Sequence, residues 1–130
     1  MTFDNKQEYV LYRLEKANET LREVELLINN KFWNTAVSRM YYACYYTVSS
    51  LLIKNNITTS THSGTRQKFG ELFVKTGKIE RYLGKHYSDL FEKRTKSDYN
   101  DFFDFDEETV MRLYPVTIEF IIKLEELIIE

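Results

Sequence analysis

Leu11, Leu14, Leu21, Val24 and Ile28 recur at steps of three, four and seven residues, with mostly charged positions between them. That period predicts an amphipathic helix from Asn5 to Ile28. Asn29-Asn30 then offers a stop, because Asn tolerates the left-handed conformation that ends helices. A second helix is expected from Asn34, as its N-cap, to Lys54, with Asn55-Asn56 ending it. Its positions Val37, Met40, Tyr41, Cys44, Val48 and Leu51 share one face, while Arg39, Tyr42, Tyr46 and Ile53 fall roughly opposite. Bulky groups on both sides predict a helix packed between neighbours, at the centre of the fold.

The polar stretch Ile57 to Gly64 reads as a mobile loop. A third helix is expected over Thr65 to Thr76, burying Phe69, Leu72 and Phe73, with Gly77 as its C-cap. A fourth follows from Lys78 to Tyr99, with Ile79, Tyr82, Leu83, Leu90 and Phe91 as its stripe. The acidic and aromatic segment Asn100 to Phe105 leads to Asp106, which caps a last helix starting at Glu107. Pro115 lies inside it, where a missing amide donor predicts a kink or short break.

Composition sharpens this picture. The 130 residues suit a single domain, and 20 aromatic side chains supply bulk for a core. Four Gly and one Pro are too few turn formers for a sandwich, a barrel or a glycine-rich phosphate loop. The expectation is an all-α bundle of four to five helices on short loops, running up and down. The lone Cys44, on an apolar helix, reads as a small buried hydrophobe and excludes an internal disulfide. No zincin, phosphate-loop or nucleophile-elbow motif is present, and neither histidine has a Glu three positions before it, so no metal site or cofactor is expected. The apolar runs fall short of the roughly 20 residues of a membrane span, and no leader opens the chain; the expectation is a cytoplasmic protein.

Charge is distributed unevenly although the net value is only −2. Residues 66–96 carry 9 basic and 4 acidic groups, and residues 97–130 carry 2 basic and 10 acidic. A basic block followed by an acidic one points towards partners. Two constellations stand out. Ala36 to Thr47 places four tyrosines and Arg39 on a nearly uncharged helix, so Arg39 is expected to be buried and paired with Asp98, Asp101 or Asp104. At the end of the fourth helix, Arg94 and Asp98 stand four apart, beside Lys93, Lys96 and Tyr99. They pair with each other along the helix surface, or Arg94 presents its planar fork to a phosphate or carboxylate.

In order and spacing these features resemble the HEPN family of small prokaryotic helical proteins. The resembling residues are Ala36-x-x-Arg39-x-Tyr41-Tyr42-Ala43, then His62-x-Gly64, then Phe69-x-x-x-Phe73-Val74-x-x-Gly77-x-Ile79, and lastly Leu90-Phe91-x-x-Arg94-x-x-x-Asp98-Tyr99. The resemblance implies a helical bundle that dimerises, in a family rich in metal-independent endoribonucleases. Many are toxins held in check by a partner, often a minimal nucleotidyltransferase. Active members carry an Arg followed by a His after four to six intervening residues, and two copies build one composite site. Here Arg94 is followed at those positions by Tyr99, Asn100 and Asp101. Tyrosine, with a pKa of about 10, is a poor base where His works near 6.5.

Three functions stay open on this reading. One is an interaction subunit, a homodimer with a nucleotidyltransferase-type partner. The second is an RNA-cleaving toxin in which Arg94 acts with Tyr99 or His62. The third is a non-catalytic RNA or nucleotide binder that uses the basic block from Arg66 to Lys96 as a phosphate surface. Arg39, Tyr42, His62 and Asp98 are the candidate binding residues. Lys75, Lys78 and Lys85 read as an ordinary solvated face.

Overall fold

The computed structural model describes residues 5–99 and 104–130, and the described residues form helices and the turns between them, with no strand. Helix α1 spans Lys6–Asn29, α2 Trp33–Lys54, α3 His62–Phe69, α4 Arg81–Tyr99 and α5 Glu107–Ile129. Asn5 caps α1, its side chain accepting from the amides of Gln7 and Glu8, and Asp106 caps α5 through the amide of Thr109. Gly77 follows the third helical segment at φ +84°, where a side chain would be strained.

α2 is the hub, packed on α1, α5, α4 and α3. Its buried face carries Val37, Met40, Tyr41, Cys44, Val48 and Leu51, as the 3.6 period requires. Phe69, Leu83, Tyr87, Leu90, Phe120 and Leu124 complete one core with it. Burial of Cys44 pushes its thiol pKa well up, so it is an inert space-filler.

Several expectations are corrected. α2 is packed between neighbours as expected, but the face opposite its core side is less deeply covered: Arg39, Tyr42, Tyr46 and Ile53 are half-buried. In α1 the buried row is Val10, Ala17, Thr20 and Val24, while Leu11 is exposed, because the helix is rotated to bring its smaller residues against α2. Leu72 and Tyr82 are likewise exposed. Asn34 does not cap α2, which starts one residue before it. Its amide nitrogen instead donates to Asp104 and its oxygen accepts from the amide of Phe105, a tie between the start of α2 and the approach to α5. The left-handed residues near the first two helix ends are Lys31 and Asn56, both at φ 61°.

The stretch expected to be a loop up to Gly64 already turns helical at His62, because Thr61 caps α3 by accepting from the Gly64 amide. A hydroxyl contact of 2.7 Å between Thr59 and Thr65 pins the loop against the helix it feeds. After Phe69 the helix widens into a π turn, Gly70–Val74, and α4 begins at Arg81 rather than Lys78. Pro115 interrupts nothing. It is exposed, as is Met111 one turn earlier, so the carbonyl left without a donor faces water and α5 continues.

Candidate functional site

Tyr41, Tyr42, Tyr45 and Tyr46 follow one another along α2 at spacings of one and three residues. Their rings therefore cover a continuous strip where α2 meets the start of α3 and the last turns of α4. Tyr41 points inwards: its ring stacks on Tyr87 with centroids 5.9 Å apart and meets Phe91 edge-on. Tyr42, Tyr45 and Tyr46 are half-buried and line the surface beside it.

Arg94 reaches this strip from α4. Its guanidinium lies over the Tyr41 ring at 4.9 Å and the Tyr42 ring at 5.5 Å, and Nη1 donates to the Tyr42 hydroxyl at 3.0 Å. Asp98 stands one turn on, 3.5 Å from Nη1, with half its side chain exposed. The side chain of Arg94 is only 19% exposed, and its buried Nε has no hydrogen-bond partner among the described residues. Such an orphaned donor costs about 1–3 kcal/mol. The aromatic faces offset this in part through cation–π attraction.

His62 comes to the same place from the first residue of α3. Its ring stacks on Tyr45 at 4.1 Å, nearly parallel, and Nδ1 lies 2.7 Å from the Tyr41 hydroxyl. Either atom can donate in that bond, and in both cases it fixes the ring. Burial, then the Arg94 charge, lowers the His62 pKa from its ordinary 6.5, so the imidazole is neutral at pH 7. The Tyr41 hydroxyl, pushed up to about 12 chiefly by burial, keeps its proton. Arg66, also on α3, stacks its guanidinium over Phe91 at 4.1 Å and adds a second arginine to the aromatic cluster.

The structure thus brings Arg94, Tyr42, His62 and Asp98 together, with His62 drawn in from the segment expected to be loop. Arg39 sits at the margin. Its guanidinium covers the outer face of Tyr42 at 5.4 Å and pairs with Glu23 of α1 at 3.2 Å. It is neither deeply buried nor paired with Asp98, because α1 runs along that side of α2 and supplies a nearer carboxylate. Asp104 is engaged by Asn34 instead, and Asp101 lies outside the described residues. Tyr99 is 87% exposed and takes no part in the cluster. Tyr41 and Tyr45 were not singled out from sequence as site residues, although their spacing to Tyr42 on one helix carried the signal.

A helical bundle with an arginine at the end of a late helix, facing a tyrosine-rich second helix, agrees with what matching to known families finds: the HEPN domain matches residues 10–127. The chain belongs to the HEPN family. Among its HEPN relatives is a UPF0332 protein of Thermotoga maritima, 40% identical over 107 residues, which cover 82% of this chain and 81% of that one. Two proteins of Methanocaldococcus jannaschii are named "Putative toxin MJ0605" and "Putative toxin MJ0142". The former is 33% identical over 78% of this chain and 75% of its own length, the latter 34% identical over 67% and 59%. Among the described residues of this HEPN chain no helix is long and apolar enough to cross a membrane, and no three His, Cys, Asp or Glu side chains gather as metal ligands.

Proposed function

We propose that this chain is a toxin-like HEPN protein that engages RNA through the surface where Arg94 meets His62 and the α2 tyrosines. The observation that carries this reading is the convergence of His62 and Arg94 on the same aromatic rings. An imidazole stands beside the arginine even though no histidine follows Arg94 in the sequence. Arg94 offers a permanent charge held by two rings, suited to a phosphate. Tyr42 and Tyr45 are partly exposed beside it, so a nucleotide held at Arg94 meets aromatic surface. Two relatives named as toxins support the toxin-like class. The protein works as a homodimer, restrained by a nucleotidyltransferase-type protein.

The same geometry favours RNA cleavage over mere binding at one point. His62 is neutral near pH 7 and fixed through Nδ1, while Nε2 has no partner among the described residues. With Nδ1 as the donor to Tyr41, Nε2 takes the proton of a ribose 2′-hydroxyl. The 2′ oxygen then bonds to phosphorus, the bond to the 5′ oxygen breaks, and that oxygen leaves with a proton from solvent. Arg94 stabilises the charge gathering on the phosphate oxygens.

Binding and cleavage of a labelled single-stranded RNA at low salt separate these roles. Arg94→Gln is expected to lose both, and His62→Gln to lose cleavage while keeping binding. Unchanged RNA affinity in Arg94→Gln would remove this surface as the RNA site. Co-purification of the tagged protein from its native host tests the partner, and light scattering tests the homodimer, expected at twice the 15.6 kDa chain mass.

A further inference from the structure

A cleft of about 430 Å³ opens between α1 and the end of α2, on the far side of the tyrosine strip from Arg94. Lys6, Arg13, Tyr45, Ser49, Asn56 and Thr58 are among the residues that line it, with an apolar floor at Leu52, Ile53 and Ile57. None of its described lining residues is acidic. That volume falls within the range of small-ligand sites, and cationic and hydroxyl groups over an apolar floor suit a phosphorylated ligand with a flat, less polar body.

Arg13 is held much as Arg94 is. Its guanidinium lies over the rings of Tyr9 at 5.3 Å and Tyr46 at 5.7 Å, and Nη2 donates to the Tyr9 hydroxyl at 3.0 Å. Its Nε, too, is buried without a partner, and no carboxylate of the described residues pairs with it. Lys6 has its Nζ on the Lys54 carbonyl and the Asn56 side-chain oxygen, again with no carboxylate among the described residues. Here two aromatic-backed arginines terminate one row of rings: Arg94 on Tyr42, Tyr42 at 6.2 Å from Tyr46, and Tyr46 under Arg13. Tyr45 lines this cleft and stacks on His62, so one ring joins the cleft to the Arg94 cluster.

We propose that the Arg13–Lys6 cleft is a nucleotide subsite that seats a flanking unit of the single-stranded RNA held at Arg94 and His62, its phosphate on Arg13 and Lys6. The inference rests on the RNA reading of the Arg94 surface and extends it along the strand. Alternating cations and aromatic rings are the pattern by which proteins track a single strand without reading its sequence.

The test measures binding of a fluorescent RNA pentamer and, separately, of free UMP, at low salt, for the full chain and for Arg13→Gln, Thr58→Glu and Arg94→Gln. Thr58 is exposed at the cleft, so Thr58→Glu brings a negative charge there without touching the core, should Arg13→Gln fold poorly. Expected is a loss of about tenfold in pentamer affinity for Arg13→Gln and Thr58→Glu alike. The slope of log affinity against log salt should fall by about one in Arg13→Gln. Pentamer affinity unchanged in both variants would overturn the subsite, and a loss confined to Arg94→Gln would then leave the Arg94 reading intact. Loss in the two subsite variants with none in Arg94→Gln would support the cleft and defeat that reading. UMP binding that these two variants abolish while the pentamer is unaffected would assign the cleft to a free nucleotide and overturn its role in the strand.

Discussion

The Tyr41 hydroxyl lies 2.7 Å from Nδ1 of His62, joining the core face of α2 to the first residue of α3 across 21 positions of sequence. Tyr41 is fully buried and His62 half-buried, so the bond runs from the interior of the bundle to the surface beside Arg94. It is the contact that converts an imidazole on a polar segment into a fixed member of a site.

The Arg94 charge is one of the causes that lower the His62 pKa, after burial. Arg94→Gln is therefore expected to move that pKa upwards towards 6.5 without restoring it fully. Following the His62 ring protons by NMR across pH 4–8 checks this. A downward move would mean that the guanidinium does not face the imidazole.

His86 is buried beneath α5, 2.9 Å from the Thr117 hydroxyl, and burial lowers its pKa to about 4. Asp89 and Glu119 oppose that shift, while Arg112 and Lys93 reinforce it. The unfolded chain takes up this proton near pH 6.5 and the folded chain only near pH 4. Stability is therefore lost as pH falls through that window, by about 3 kcal/mol at its lower end. His86→Gln keeps a side-chain donor near Thr117 but cannot titrate. The difference in melting temperature between the two proteins should shrink or reverse from pH 7 to pH 4.5, and a pH-independent difference would count against a neutral buried His86.

Arg39 and Glu23 form a half-exposed pair, with side chains 31% and 48% accessible. Such pairs contribute about 1 kcal/mol or less. Arg39→Ala is expected to lower stability by about 1 kcal/mol, including its contact with the Tyr42 ring. Urea denaturation showing a loss of several kcal/mol would restore the buried ion pair that the sequence suggested.

Gly84 lets α4 approach the π turn. A Cβ at this position would stand 2.7 Å and 2.9 Å from the two methyl carbons of Val74. Alanine normally improves a helix by about 1 kcal/mol over glycine, but here the clash should win and destabilise by about 1–2 kcal/mol net. Combining Gly84→Ala with Val74→Ala removes the obstructing methyls. The double variant should therefore melt higher than the sum of the single effects allows.

Local chemistry in the chain determined the number and approximate extent of the helices, because apolar period, caps at Asn5 and Asp106 and the glycine at 77 act over a few residues. The core face of α2 followed from the same period. What only the tertiary structure decided is which side chains meet across the bundle. Arg94 reaches Tyr42 over 52 residues, and His62 reaches Tyr41 because Thr61 starts α3 earlier than the polar composition suggested. Arg39 takes its partner from α1, since the rotation of that helix, set by small residues packing on α2, brings Glu23 within reach. Pair formation of this kind depends on the relative placement of whole helices, a long-range quantity that no window of sequence contains. Exposure of Tyr99, and the cation-lined cleft beside Tyr45, are likewise consequences of packing rather than of pattern.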